Sequence, residues 1–534
     1  MKILLGAAFF CILLFNGFAQ KPEAVIDILH YSFSVKLSDS TDKIEGQAKI
    51  KFKVIKQTNS ITLNLIKEGS DRKGMVVSGV LEGKQPLSFL HNDHLLKVSF
   101  DKNLPIGTEK EIEVIYSGIP IDGLIIGYNK FKRRGFFADH WPDRARNWLP
   151  CVDHPADKAT LDFFVTAPDH FQVIANGVQM EEISLGNGQK LTHYSETTSL
   201  PTKVMTMGAA DFAVQLAGMV DCIPVYSWVY PENKDQGFFD YAIATDILPF
   251  FIKNVGPYPY KKLANVQSKT RFGGLENAGA IFYSESSVSG NRKSEGTIAH
   301  EIAHQWFGDM ATEKEWAHIW LSEGFATYMT ILYMENTYGK DTATKMLLQS
   351  RTQTIAHSKQ RSRPVVDSSV TNYMELLNPN SYQKAGWVLH MLRLQLGDSS
   401  FWRGVRTYYA RYAGKNANTE DLQKVFEEIS GTSLSTFFKQ WLYTAGQPKL
   451  DVIPKYDASK KLLTITINQL QETAFEFPLQ IQVNGGAEDG VVTKSLPVKD
   501  KQTFFSIPLT EKPLKILIDP NVRLLHEGTV KEVQ

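Results

Sequence analysis

The chain of 534 residues is too long for a single hydrophobic core, so we expect about two to four domains. Its 58 basic residues balance 57 acidic ones, and no basic cluster interrupts this balance, which argues against nucleic acid or an anionic membrane as a partner. The hydrophobic content of 43% is ordinary for a globular protein.

The segment 1–19 differs from the rest of the chain. Lys2 precedes an apolar run at residues 3–15, and small residues follow up to Ala19. This order is typical of a secretory signal peptide, with cleavage after Ala19. The run is shorter than the about 20 residues of a membrane span, and no other apolar run is long enough. We therefore expect a protein without a membrane span after cleavage, in the periplasm or outside the cell; an uncleaved anchor is the alternative.

Two cysteines, Cys151 and Cys222, are left after signal cleavage. In an exported protein they can form one disulfide, but free buried thiols are an equal alternative, because the sequence gives no distance between them. Lipidation at Cys11 is disfavoured by its place inside the apolar run.

The segment 20–215 is predicted to be a β domain. Residues 31–37 and 48–54 alternate between apolar and polar side chains, which is the pattern of half-buried antiparallel strands. We expect a β-sandwich or saddle. Between residues 136 and 168 the alternation gives way to proline, tryptophan and charged residues. That segment indicates a functional loop, a structural corner fastened by an Arg146–Asp153 pair, or both.

The segment 216–446 is predicted to be largely helical. From about residue 237 the apolar residues follow a helical period, and a stretch with Gly446 and Pro448 ends the helices. A glycine-rich stretch that includes Gly273 and Gly274 interrupts them. Glycines at this density allow another backbone to approach closely, which suits an edge strand beside an extended peptide. The period of two returns in the segment 447–534, which we expect to form a small β-sandwich.

The strongest motif is His300-Glu301-Ile302-Ala303-His304 in a predicted helix. Histidines at i and i+4 leave one face about 6 Å apart along the axis, so their nitrogens can meet one tetrahedral zinc ion. Glu301 lies about 100° around the helix, badly placed to ligate but able to take a proton from water that the metal activates. Glu323, after a gap of eighteen residues, supplies the missing ligand. The sequence therefore predicts one zinc ion per chain.

These motifs resemble those of the zinc aminopeptidase family of aminopeptidase N and leukotriene hydrolase. The segments 273–277, 300–309 and 320–326 carry the likeness, and weaker likenesses lie at 150–155, 382–386 and 441–448. The resemblance implies a thermolysin-like α+β catalytic domain between the two β domains. Many relatives carry a large helical C-terminal domain, which we do not expect here. The cleft is then more open, or a second subunit of a homo-oligomer covers it.

The resemblance also implies the function of a zinc-dependent aminopeptidase, which removes the first residue from peptides with a free N-terminus. His300, His304 and Glu323 hold the zinc ion. Glu301 acts as general base, and Tyr382 donates a hydrogen bond to the oxyanion.

Recognition of the free amine is implied for Glu276, with Asn277 and the backbone of Gly273 and Gly274 beside the peptide. The chain departs from the family at the position of a second amine-binding Glu or Gln, which holds Trp141. In that case Asp139 or its neighbour His140 takes over part of the role, Glu276 acts with less help, or Trp141 lines the pocket for the first side chain.

Phe272 and Leu275 are further candidates for the lining of that pocket. Asp309, after the zinc helix, is a candidate to orient a ligand histidine. Two alternatives to the aminopeptidase stay open: a zinc epoxide hydrolase or dual-activity relative, and a non-catalytic peptide-binding module.

Overall fold

The computed structural model describes residues 24–485 and 490–533. The predicted signal peptide, its cleavage site after Ala19 and Cys11 lie outside the described residues. The described chain begins with a region of strands, continues as a mixed region of strands and helices, and ends in a second region of strands. This order confirms the predicted fold class.

The N-terminal region consists of strands between residues 26 and 210. They are β1 Ile26–Lys36, β2 Ile44–Val54, β3 Thr58–Asn64, β4 Gly74–Glu82, β5 Gln85–Pro86, β6 Ser88–Asn92, β7 Leu95–Leu104, β8 Glu109–Ile119, β9 Leu124–Tyr128, β10 Arg134–Ala138, β11 Lys158–Pro168, β12 Gln172–Ala175, β13 Val178–Gly186, β14 Gln189–Pro201 and β15 Met207–Ala210.

An eight-stranded sheet in the order β13-β14-β11-β1-β2-β8-β4-β5 is the main layer of this region. In β1, Tyr31, Phe33 and Val35 are buried, while the residues between them are partly exposed. This alternation confirms the predicted half-buried strands, because successive side chains of a strand point to opposite faces. Smaller sheets, β3-β7-β6 and β12-β15-β10-β9, complete the region. Strand β10 leads directly into the loop that carries Trp141.

The loop after β10 is an ordered corner. Arg146 Nε donates to Asp153 Oδ2 at 3.0 Å, which confirms the predicted pair. The other Asp153 oxygen accepts a hydrogen bond from the Thr202 hydroxyl at 2.7 Å. Trp148 is fully buried beneath the corner. The loop is therefore held at both ends, and it brings Trp141 to the edge of the mixed region.

The mixed region contains strands and helices between residues 213 and 443. The strands are β16 Ala213–Val220, β17 Ile223–Val229, β18 Leu263–Gln267, β19 Gly274–Leu275, β20 Ala280–Tyr283, β21 Thr312–Glu313 and β22 Asn416–Ala417. The helices are α1 Lys234–Tyr241, α2 Ala244–Asn254, α3 Glu295–His304, α4 Trp320–Tyr338, α5 Lys340–Gln360, α6 Ala385–Leu396, α7 Asp398–Tyr412, α8 Thr419–Ser430 and α9 Ser435–Phe438.

A mixed sheet in the order β16-β17-β18-β20-β19 opens this region. The domain boundary predicted at residue 215 falls inside β16, which pairs with β17. That strand shares a sheet with the strands of the mixed region, and the position of the boundary stays a prediction. Alternation alone could not place it, because strands continue on both sides of the boundary.

The C-terminal region is a small sandwich of two sheets, β27-β24-β23-β29 and β26-β25-β28, as predicted. Its strands are β23 Lys449–Asp457, β24 Leu462–Gln469, β25 Phe477–Asn484, β26 Val491–Val498, β27 Gln502–Pro508, β28 Lys515–Ile518 and β29 Glu527–Val530. Across the parts of the chain that the structure describes, no helix has an apolar stretch that could cross a bilayer.

The two cysteines are free. Cys151 is buried and Cys222 is exposed, so the alternative of a disulfide between them is not realised.

The pH dependence of stability is expected to carry a contribution from Asp157. One of its carboxylate oxygens is buried without a hydrogen-bond partner among the described residues, and the other accepts from the Ile28 N–H at 3.3 Å. Burial raises the pKa of Asp157 to about 8, while the unfolded side chain titrates near 3.9. Between these values only the folded state holds the proton, so its free energy of unfolding falls by up to about 1.4 kcal/mol per pH unit as the pH rises.

We therefore expect Asp157→Asn to unfold at a higher temperature than the parent protein, by a margin that widens from about pH 4 to about pH 8. Thermal unfolding followed by circular dichroism measures this margin. A margin that does not change with pH would contradict the assignment.

Candidate active site

Two neighbouring helices carry the three predicted metal ligands. His300 and His304 lie one turn apart on α3, and Glu323 lies in the first turn of α4. The two histidine Nε2 atoms are 3.0 Å apart. Glu323 Oε2 lies 3.3 Å from the Nε2 atom of His300 and 3.2 Å from that of His304. The structure therefore brings all three ligand atoms within 3.3 Å of one another.

The orientation of His304 is fixed by the chain itself. Its Nδ1 lies 3.0 Å from the Phe307 carbonyl oxygen, which can only accept, so Nδ1 carries the proton and Nε2 is free to ligate. The hypothesis that Asp309 orients a ligand histidine is wrong. Asp309 Oδ2 instead accepts a hydrogen bond from Gln305 Nε2 at 2.9 Å. The Phe307 carbonyl has the orienting role, together with the Ser322 hydroxyl, which also lies 3.0 Å from His304 Nδ1.

This donor set fits a zinc ion. Two imidazole nitrogens and one carboxylate oxygen are a common protein ligand set of catalytic zinc, and they leave a fourth position open. His304 and Glu323 are buried side by side. Although burial lowers it, the Glu323 carboxylate raises the pKa of His304 to about 10. Among the described residues this is the one group of three such side chains close enough to share an ion.

Glu301 occupies the same cleft, and its carboxyl group packs against Gly274 of β19. A Cβ atom at Gly274 would lie 2.3 Å from Glu301 Oε1, so a side chain at that position would displace the carboxyl group. Burial raises the pKa of Glu301 well above its usual value, and His304 opposes the rise. A carboxyl group with a raised pKa can accept a proton and return it.

Tyr382 lies beside the ligands. Its ring stacks on that of His300, with centroids 6.0 Å apart and planes 16° apart. It belongs to a π-helical turn, Asn380–Lys384, that precedes α6, and such turns are frequent at functional sites. Burial and the nearby Glu323 carboxylate raise the pKa of Tyr382 well above its usual value. The hydroxyl group therefore keeps its proton and is a hydrogen-bond donor.

The glycine-rich stretch forms the predicted edge strand. Strand β19 is the last in its sheet and pairs on one side with β20. Gly273 and Gly274 line the cleft, as does Glu276, which follows the strand. Glu276 is 5% exposed, and its Oε1 has no hydrogen-bond partner among the described residues. Asn277 is buried, but it does not line the cleft.

Trp141 is part of the cleft wall. Its ring packs edge-on against Phe272, with centroids 6.3 Å apart, and against Trp316, with centroids 5.7 Å apart. Phe272 and Leu275 also line the cleft, in agreement with their prediction as pocket residues.

Asp139 and His140 do not line the cleft, so the geometry lends no support to the prediction that either contacts substrate. The Asp139 carboxylate forms an ion pair with Arg144 and accepts from the Thr270 hydroxyl at 3.1 Å. His140 Nε2 accepts from the Trp148 indole at 2.9 Å. Arg144 and Trp148 belong to the corner loop, and Thr270 lies next to it.

Two family models match consecutive parts of the chain. The Peptidase M1 N-terminal domain matches residues 28–204, and the Peptidase family M1 domain matches residues 239–441. The chain belongs to peptidase family M1. This family is zinc-dependent in general, in agreement with the His300, His304 and Glu323 cluster.

Curated relatives in this family carry aminopeptidase names. The chain is 28% identical over 430 residues to Aminopeptidase M1-C of Oryza sativa subsp. japonica. The aligned region covers 76% of this chain and 48% of that protein. It is 25% identical over 481 residues to Leucyl aminopeptidase of Saccharolobus solfataricus, and that aligned region covers 86% of this chain and 59% of the relative. The chain thus spans about half the length of the curated relatives it matches.

The cleft of this M1 family member has a volume of about 580 Å³, which is within the usual range for small-ligand sites. Part of its lining comes from residues that the sequence analysis did not single out, because they lie on helices and loops without a motif. They are Lys293, Gly296, Thr297, Thr327, Thr330, Ile331, Met346, Gln349, Ser350, Gln353, Leu377 and Gln383. The lining on α5 had no signal in the sequence beyond helical periodicity.

Proposed function

We propose that the protein is a zinc-dependent aminopeptidase, which hydrolyses the first peptide bond of peptides with a free N-terminus. One observation carries the proposal: a buried carboxylate oxygen of Glu276 has no hydrogen-bond partner in the described part of the chain, and it lies in the same cleft as the three converging ligand atoms. A buried carboxylate without a partner is costly, and the ammonium group of a peptide supplies a matching charge. M1 family membership and the aminopeptidase names of the relatives support the proposal.

The peptide backbone has a place to bind between these groups. Strand β19 is an edge strand that pairs on one side with β20, so an extended chain can pair with its other side. Gly273 and Gly274 carry no side chains that would keep a second backbone away. The first residue of the peptide then lies with its amine at Glu276 and its carbonyl at the ligand cluster.

His300, His304 and Glu323 would hold the zinc ion, which supplies a Lewis acid that lowers the pKa of water from 15.7 toward about 7. Glu301 accepts the proton of the attacking water and returns it to the nitrogen of the leaving amine. Tyr382 donates a hydrogen bond to the oxyanion that forms from the peptide carbonyl.

The two alternatives lack a supporting observation. A zinc epoxide hydrolase would use the same ligands, but an epoxide carries no ammonium group to pair with Glu276. A non-catalytic peptide-binding module would need neither Glu301 nor Tyr382, and both line the cleft. Export to the periplasm or outside the cell, and coverage of the cleft by a second subunit, stay predictions from the sequence.

Removal of the Glu276 charge tests the proposal. We expect Glu276→Gln to lower kcat/KM for amino-acid anilides by about 10–10²-fold, because a charge-assisted contact worth about 1.5–3 kcal/mol is lost. The parent protein should cleave free anilides far faster than N-acetylated ones, and a zinc chelator should abolish cleavage. Glu428→Gln, which removes a carboxylate outside the cleft, is the matched control.

Two results would overturn the proposal. Equal cleavage of blocked and free anilides by the parent protein would remove the amine-binding role. The absence of any cleavage by the zinc-loaded protein would favour the binding module.

A further inference from the structure

A single side chain connects the ligand helix to the loop that carries Glu276. Gln305 follows His304 directly, and its side chain is fully buried and outside the cleft lining. Its Nε2 donates to the Glu276 carbonyl oxygen at 2.9 Å and to Asp309 Oδ2 at 2.9 Å. Its Oε1 accepts from the Gly279 N–H at 2.8 Å and from the Tyr258 hydroxyl at 3.3 Å. Both hydrogens and both lone pairs of the amide are therefore used.

We propose that Gln305 is a positioning residue that sets the distance between the amine-binding carboxylate and the metal ligands. The inference rests on the proposed function, because it takes Glu276 as the amine anchor. Gln305 touches neither the substrate site nor the ligand atoms. It acts through the main chain of Glu276, and it adjoins His304 at the end of the same helix.

The loop that carries Glu276 has few other constraints on its side chains. Asn277 has no hydrogen-bond partner for either side-chain amide atom within the described residues, and Glu276 Oε1 has none. The Gln305 amide contacts the loop at two main-chain points, the Glu276 carbonyl and the Gly279 N–H, and so spans the turn that contains Glu276. Asn176 Nδ2 donates to the Ala278 carbonyl at 2.8 Å, and the Ala278 N–H donates to the Val204 carbonyl at 3.2 Å, so these bonds fasten the turn to the N-terminal region. Loss of the Gln305 contacts removes the two hydrogen bonds that tie the turn to the end of α3.

A small displacement of this turn has a large effect on an exopeptidase. The ammonium and the scissile carbonyl of the first residue are joined by one Cα atom, so the anchor and the ligand cluster must match a fixed length. A misplacement of about 1 Å can cost about 10²-fold in rate, even when the altered residue lies away from the chemistry. Gln305 is therefore expected to affect the selectivity for a free amine.

The matched variants are Gln305→Leu and Gln305→Glu. Gln305→Leu keeps the approximate volume and removes all four hydrogen bonds. Gln305→Glu keeps acceptors for Gly279 and Tyr258 but loses the donor to the Glu276 carbonyl and to Asp309. Gln267→Leu is the control, because Gln267 is equally buried and bonds the Tyr230 N–H at 3.0 Å and the Glu285 carbonyl at 3.2 Å, outside the cleft.

The measurement compares kcat/KM for an amino-acid anilide with that for its des-amino analogue, in zinc-loaded proteins of equal metal content. Both Gln305 variants should lose about 10–10²-fold of the free-amine preference, mainly through kcat for the free-amine substrate, because its carbonyl is misplaced. Gln267→Leu should unfold at a lower temperature but keep the preference, since a merely structural glutamine does not affect amine recognition.

The outcomes separate this inference from the proposed function. If Glu276→Gln abolishes the preference and a folded Gln305 variant keeps it, the positioning role is overturned and the aminopeptidase proposal stands. If Glu276→Gln keeps the preference, the amine anchor itself is overturned. Should Gln305→Leu fail to fold, Gln305→Glu decides: a preference equal to that of the parent protein overturns the positioning role.

Discussion

Glu301→Gln is expected to lower kcat by about 10²–10⁴-fold, because general-base catalysis contributes a factor of that size. The amide has the shape of the carboxyl group and fits against Gly274, where a Cβ atom would not fit. It cannot accept a proton from water at neutral pH. The zinc content should stay at one ion per chain, because Glu301 is not one of the three converging ligands. Steady-state kinetics and metal analysis of the same preparation measure both quantities.

The control for this variant lies on the same helix. Glu295→Gln changes a carboxylate in the first turn of α3 that accepts hydrogen bonds from Tyr333 and Tyr338 and does not line the cleft. It should keep kcat close to that of the parent protein. Unchanged turnover in Glu301→Gln would remove Glu301 as the base.

Tyr382→Phe should lower kcat by about 10²–10³-fold, the usual cost of one oxyanion donor, which corresponds to about 2.7–4 kcal/mol. The phenyl ring can keep its stacking on His300, so substrate binding and KM should change little. The loss falls on kcat because the hydrogen bond is made to charge that develops in the transition state. Steady-state kinetics with an amino-acid anilide measure the two constants separately.

Tyr333→Phe is a suitable control, since it removes a hydroxyl group that bonds Glu295 at 2.9 Å outside the cleft. A Tyr382→Phe variant that raises KM and leaves kcat intact would show that Tyr382 binds the ground state. That result would contradict its role toward the oxyanion.

The parts of the site that could be predicted from the sequence are those that depend on the spacing of residues within one helix or strand. The i and i+4 positions of His300 and His304 fix their common face, because a helix has one geometry. The glycines around Gly274 also predict the edge strand, because residues without side chains let another backbone approach closely. Glu323 was assigned from its distance along the chain, and its convergence with the histidines depended on two helices packing side by side.

The contacts that the sequence did not reveal join residues through tertiary structure. The Phe307 carbonyl orients His304, and a carbonyl group carries no residue identity. Asp139 was expected near substrate from its position in a motif, but an ion pair with Arg144 holds it elsewhere. Gln305 lies in the segment 300–309 that carries the family likeness, but the sequence does not indicate what its amide contacts. Its importance follows from the main-chain groups that the fold brings to its amide.

The shortness of β19 has a consequence for the proteins that could be substrates. Its edge of two residues, Gly274–Leu275, lies along a cleft and can pair with one extended strand at a time. A folded protein whose N-terminal segment is already paired in its own sheet has no free backbone groups to offer. On the proposed function, trimming of such a protein must wait until its end frays by local unfolding. The rate of trimming would then follow the local stability of the substrate, and disordered tails would be removed first.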